Sequence, residues 1–128
     1  MSEEKFDVVI IGAGPGGYMA AQRAGAKGKK TLLIDKDKNL GGVCLNRGCI
    51  PTKTLLNSAK IFHSSQNSQQ IGVSVSNAEY DIEKAMEWKN KTVSILTKGV
   101  AYQMKRNKVT VITGHAQIID RNTVSVQD

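Results

Sequence analysis

Residues 6–17, FDVVIIGAGPGG, decide the fold. The first half is apolar, β-branched and short, the pattern of a buried parallel strand. The second half sets Gly12, Gly14 and Gly17 directly behind it. In that position the first glycine makes a tight turn, the second lets the backbone approach a pyrophosphate, and the third lets a helix lie close to the sheet. Pro15 and Gly16 open the helix, expected over residues 15–27, whose first amides would face the phosphates. Ala20, Ala21 and Ala24 keep its packing face thin, and Gly25 and Gly28 read as its stop. Residues 31–34, TLLI, form a second strand, with Asp35 at its C-terminal end. An acid about 20 residues beyond the glycines is placed to bind ribose hydroxyls. A glycine pattern alone is weak evidence, but a strand before it, a helix after it and this acid together describe a dinucleotide-binding unit. The acid favours an unphosphorylated ribose and does not separate FAD from NAD.

Working outward, residues 41–53, GGVCLNRGCIPTK, hold the only two cysteines, Cys44 and Cys49, just before Pro51. Cys44, Cys49, His63 and His115 fit no familiar zinc spacing. A disulfide closing so short a loop removes little unfolded-state entropy, so it suits opening and closing better than stabilisation. Two free thiols are the alternative. In a regular helix, Cα atoms five residues apart are about 8–9 Å from each other. A disulfide needs about 4.4–6.8 Å. A bridged pair therefore requires a non-helical turn, which Gly48 permits, and Pro51 then suits the first turn of a following helix. A nucleotide turn beside a dithiol points to redox chemistry, with a flavin carrying electrons and the sulfurs exchanging them with a substrate.

Residues 51–66 read as a helix with Leu55, Leu56, Ala59, Ile61 and Phe62 on its apolar side. Residues 64–70 read as loop and 71–75 as a short extended piece. Residues 81–107 read as one long helix, with Ile82, Met86, Val93, Leu96, Val100 and Met104 at helical spacing. Lys84, Lys91, Lys98 and Lys105 recur on another face, read as solvated. Residues 108–113 give a third parallel strand, followed by strands at 117–119 and 123–126 joined by a turn. The fold class is α/β: a Rossmann-like parallel sheet with flanking helices and the start of a β-meander at the C-terminus. The length allows one domain. The net charge is +7, but the basic residues are scattered and aromatics for base stacking are few, so no nucleic-acid partner is expected. No apolar run reaches membrane length and residues 2–5 are charged, so no signal peptide or membrane partner is expected and the cytoplasm is the expected location.

Residues 6–53 resemble the N-terminal region of the pyridine nucleotide–disulfide oxidoreductases, and the resemblance runs more loosely to the C-terminus. The run CLNRGCIPTK from Cys44 to Lys53 is most similar to the dihydrolipoamide dehydrogenase branch. The glutathione and mercuric reductase branches usually carry Val after each cysteine. The resemblance implies FAD at the first fingerprint, with Gly12, Gly14, Pro15, Gly16 and Gly17 at the pyrophosphate and Asp35 and Lys36 at the ribose. It implies further contacts from Gly41, Gly42 and Val43. Cys44 would exchange with dihydrolipoamide and Cys49 would face the flavin as its charge-transfer thiolate. Lys53 would lie at the flavin edge, favouring an anionic ring and a thiolate. The residue matching Ala116 contacts adenine through its backbone, beside His115; the imidazoles of His63 and His115 read as surface or packing groups.

The same resemblance implies that residues 1–128 are the N-terminal part of a FAD-binding domain. An NAD-binding domain and a dimerisation domain with a His–Glu acid–base pair would lie elsewhere, leaving this segment inactive alone. The implied partners are dihydrolipoamide on a lipoyl domain of a 2-oxoacid dehydrogenase or glycine cleavage complex, NAD as co-substrate, and a second subunit, with a role in cell redox homeostasis. The alternatives are a glutathione- or mercuric-reductase-like enzyme and a non-catalytic flavin-binding module. Two positions depart from the family pattern. Asp35 stands where Glu is commoner, and Arg47 stands between the cysteines where a small apolar residue is often found. Arg47 either lowers a thiol pKa or points into solvent.

Overall fold

The computed structural model describes residues 3–127. Strand β1 (Val8–Ile11) leads through helix α1 (Pro15–Ala26) to strand β2 (Thr31–Asp35). Two helices follow, α2 (Gly42–Asn46) and α3 (Cys49–Gln66), then a 3-10 turn at Ser68–Ile71 and helix α4 (Ile82–Arg106). Strands β3 (Thr110–Thr113), β4 (His115–Asp120) and β5 (Thr123–Gln127) end the described chain. The first three strands form a parallel sheet in the order β1-β2-β3, and β4 and β5 form an antiparallel pair. This is the α/β arrangement with a C-terminal β-meander start that the residue pattern predicts.

The central strand β2 is apolar on both faces, and Leu33 and Ile34 are wholly buried. Leu33 joins Ala13, Ala21, Leu40, Met104 and Val109 in one core cluster, with Ile10, Tyr18 and Val100 packed against it. Small residues on α1 thus lie against the sheet beside the apolar side of α4. Asp81 caps α4, its carboxylate accepting the Lys84 amide at 3.0 Å. Lys105 and Arg106 occupy its last turn, where positive charge complements the helix dipole.

Several expectations need correction. Strand β1 is shorter than residues 6–11 and is covered on one face only: Val9 and Ile11 are exposed, while Ile10 between them packs on the core. Gly25 does not stop α1 but lies within it, where a Cβ would sit 2.3 Å from the Asn107 carbonyl oxygen. It is a close-approach residue, and Gly28, with φ +76°, is the helix stop. Residues 71–75 form no strand; the chain makes the 3-10 turn and then runs irregularly, because no neighbouring strand offers it a ladder. Strand β4 begins at His115 rather than 117, since His115 and Ala116 pair with Gln127 and Val126. The lysine stripe on α4 is exposed along its length, as read. Among the described residues no helix is long and apolar enough to cross a membrane.

Candidate cofactor and dithiol site

The carboxyl ends of the three parallel strands converge on one edge. Gly12 follows β1, Asp35 ends β2, and Gly114 follows β3. The Gly12 amide donates to the Ile34 carbonyl at 2.7 Å, and the Gly114 amide donates to the Asp35 carbonyl at 2.9 Å. His115 and Ala116 come next, so the residues expected at the pyrophosphate, ribose and adenine share this edge. Ligands of open α/β sheets bind in that crevice. The His115 side chain is exposed and Ala116 is half-buried. Lys36 is exposed beside Asp35.

Gly17 does what its position predicts. A Cβ there would lie 1.7 Å from the Gly12 carbonyl oxygen, so only glycine lets α1 pass this close to the turn. The opposite side of the turn is open: a Cβ on Gly12, Gly14 or Gly16 would meet nothing within 4 Å. The Gly16 and Gly17 amides have no acceptor among the described residues. Open space above two free amides at a helix N-terminus fits a dinucleotide pyrophosphate.

The second glycine turn is built against the first. Gly41 and Gly42 have φ of +108° and +60°, a left-handed pair that side chains rarely adopt. The Gly41 amide donates to the Ala13 carbonyl at 2.8 Å, and a Cβ on Gly42 would lie 2.7 Å from the Gly14 Cα. The phosphate turn and the start of α2 are therefore in backbone contact. Val43 then projects into solvent.

The helix carrying Cys44 ends at Asn46, and the one carrying Cys49 begins three residues later, so the expected non-helical break falls at Arg47-Gly48. Gly48 has φ −124° and ψ −107°, far from helical values. Pro51 lies in the first turn of α3, as predicted. The expected disulfide is not formed. Cys44 and Cys49 are both free, the first half-buried and the second exposed. The neighbouring Cys49 side chain, and then burial, raise the Cys44 pKa above its ordinary value. The pair is thus a dithiol, and the break brings the sulfurs together where a continuous helix would separate them. Lys53 is exposed four residues after Cys49, one turn along the same side of α3.

Arg47 points outward, its guanidinium pairing with Asp37 at 2.9 Å, so of the two readings the geometry supports the solvent-facing one. Two residues escaped the sequence reading. Asp37 is one; its acidic side chain ten positions before an arginine carries no distinctive signal. Asn46 is the other: its amide donates to the Gly42 carbonyl at 2.9 Å and to the Leu40 and Asn39 carbonyls at 3.3 Å. A polar amide inside a short helix just after two glycines was the available clue. Among the described residues no three His, Cys, Asp or Glu side chains are grouped to hold a metal ion.

Residues 6–128 match the family described as pyridine nucleotide-disulphide oxidoreductase. The chain is 46% identical over 122 residues to dihydrolipoyl dehydrogenase of Bacillus subtilis (strain 168), covering 95% of this chain and 26% of that protein. It is 48% identical over 124 residues to the mitochondrial dihydrolipoyl dehydrogenase of Pisum sativum, covering 96% and 25%. It is 43% identical over 120 residues to that of Geobacillus stearothermophilus, covering 94% and 25%. The chain therefore spans about a quarter of the length of these curated relatives. With a matching family across all but its first five residues, and the glycine turn and dithiol in contact, this chain belongs to the pyridine nucleotide-disulphide oxidoreductases.

Proposed function

We propose that this chain is the FAD-binding and dithiol-bearing segment of a flavoprotein that oxidises dihydrolipoamide with NAD as final acceptor. The observation that carries the reading is the contact between the two glycine turns, which seats the dithiol helix directly on the phosphate turn. The Gly12–Gly17 turn and the free amides of α1 would hold the pyrophosphate, and Lys53 would set a positive charge one turn from Cys49. Bound FAD supplies an acceptor for the electron pair of the dithiol and hands it on toward NAD.

In the oxidised pair, one thiolate of dihydrolipoamide attacks the Cys44 sulfur. The Cys44–Cys49 bond breaks and Cys49 leaves as a thiolate. The second lipoyl thiol attacks the mixed disulfide, forming the lipoyl S–S bond, and its proton passes to Cys44. Counted from its thiolate, the lipoyl group loses two electrons and one proton, and the cysteine pair gains them as the Cys44 thiol and the Cys49 thiolate. Lipoyl domains of a 2-oxoacid dehydrogenase or glycine cleavage complex would present the substrate.

The test is to oxidise the chain, confirm by mass the loss of two hydrogens, and count thiols after exposure to dihydrolipoamide or to glutathione. Dihydrolipoamide is expected to restore both thiols faster at equal thiol concentration. Failure to form the intramolecular bond, or faster reduction by glutathione, would displace this reading in favour of a non-catalytic module or a glutathione-linked enzyme respectively.

A further inference from the structure

Helix α2 is joined to the loop before it by a side chain in place of a backbone ladder. Gly41 and Gly42 turn left-handed at its start, and among the described residues no backbone amide reaches the Asn39 or Leu40 carbonyl. In an unbroken helix the Val43 and Cys44 amides would bond there. The Asn46 side chain takes their place. Its amide donates to the Gly42 carbonyl at 2.9 Å and to the Leu40 and Asn39 carbonyls at 3.3 Å. Leu40 belongs to the core cluster, so the clamp also ties α2 to the interior. The loop it grips carries the Gly41 amide that donates to Ala13 in the phosphate turn. Cys44 lies between the two ends of the clamp, Gly42 and Asn46.

We propose that Asn46 is a positioning residue: it holds the Cys44 helix on the glycine loop and thereby sets how readily the two thiols pair. This role rests on reading the cysteines as the redox couple. A helix of five residues has almost no ladder of its own to keep it in place. Without the clamp it must be ordered again before Cys44 can meet Cys49, and that ordering opposes formation of the bond.

The test uses the 128-residue chain as wild type, Asn46→Asp and Asn46→Ser. Aspartate matches asparagine in shape but, ionised, donates nothing. Serine can still bond the carbonyl one turn back, at Gly42, and is too short for Leu40 and Asn39. Each chain is equilibrated with reduced and oxidised glutathione at set ratios, acid-quenched and weighed. The reaction converts the protein dithiol and one glutathione disulfide into the protein disulfide and two glutathione thiols. Asn46→Asp is expected to lower the equilibrium constant roughly 5- to 30-fold, with Asn46→Ser between it and wild type. Asp81→Asn, which loses a cap on α4 remote from the dithiol, should leave the constant within about twofold, since lost stability alone does not move it. Amide hydrogen exchange at Leu45, with Leu33 as the control for folding, should show α2 loosened in Asn46→Asp. If Asn46→Asp does not fold, Asn46→Ser still reports. A constant unchanged or raised in a folded Asn46 variant would overturn the proposal. If wild type forms no intramolecular bond at any ratio, the redox-couple reading is the one that fails, and Leu45 exchange alone decides whether Asn46 holds the helix.

Discussion

Replacing Gly17 by alanine tests the packing that sets the whole site. The added Cβ would stand 1.7 Å from the Gly12 carbonyl oxygen and 2.9 Å from its carbon. An ordinary carbon–oxygen contact is no shorter than about 3.3 Å, so α1 and the turn must separate by about 1.6 Å. The obstructing atom is backbone and cannot rotate aside. Overpacking of this kind costs typically 1–3 kcal/mol, and the rigid partner puts Gly17→Ala at ~3 kcal/mol or more. For a chain of this length that corresponds to a melting point lower by roughly 10–15 °C. A domain of this size is stable by roughly 6–19 kcal/mol, so the variant is expected to fold and melt early. The assay is thermal unfolding followed by far-ultraviolet circular dichroism, with Gly16→Ala as control, since a Cβ there meets nothing within 4 Å. A Gly17→Ala melting point within about 2 °C of the control would refute the argument, because it would mean that helix and turn are not in contact as described.

Gly14→Ala should behave in the opposite way: its Cβ enters open space, so unfolding should be little changed while affinity for ADP or FAD falls in a fluorescence or NMR titration. Gly99→Ala, inside α4 and also facing open space, should stabilise the chain by about 0.5–1 kcal/mol in urea unfolding. Asp81 has its folded pKa lowered by the Lys84 amide and then by the Lys84 side chain, so its contribution is present above the unfolded value of about 3.9 and is lost as pH falls through the folded value. The urea midpoint of Asp81→Asn should therefore lie below wild type at pH 7 and converge with it in acid. In a flavoprotein containing this chain, Cys44→Ser should keep long-wavelength absorbance on reduction and Cys49→Ser should lose it; the reverse pattern would show the two sulfur roles exchanged.

The glycine turn, the central strand and the broken helix were legible because each rests on a local demand. Gly17 touches a carbonyl five residues away, and Gly48 sits inside the loop it distorts. What local pattern could not supply was contact across the fold. Gly25 reads as a helix stop in isolation, and only the Asn107 carbonyl beside it shows why a side chain is excluded. The engagement of Asp35 with Ala13, the pairing of Arg47 with Asp37, and the reach of Asn46 back to three carbonyls depend on where loops meet. Ile71 and Val73 have strand-like chemistry, yet no strand edge lies beside them. One-sided cover on β1 is likewise a property of its neighbours, since FDVVII contains nothing that marks Val9 as exposed.

The two-residue interruption between α2 and α3 changes what kind of object the sulfur pair is. Along an unbroken helix, positions five apart face directions about 140° apart, so each thiol would meet oxidants alone. Folded back at Gly48, where a Cβ would press to 3.1 Å from the Val43 carbonyl oxygen, the same two side chains become neighbours, one half-buried and the other exposed. A substitution that healed the interruption would leave both cysteines in place and yet turn a two-electron couple into two separate one-site targets for glutathionylation or over-oxidation. The juxtaposition of the two thiols is thus held by Arg47 and Gly48, residues that contain no sulfur.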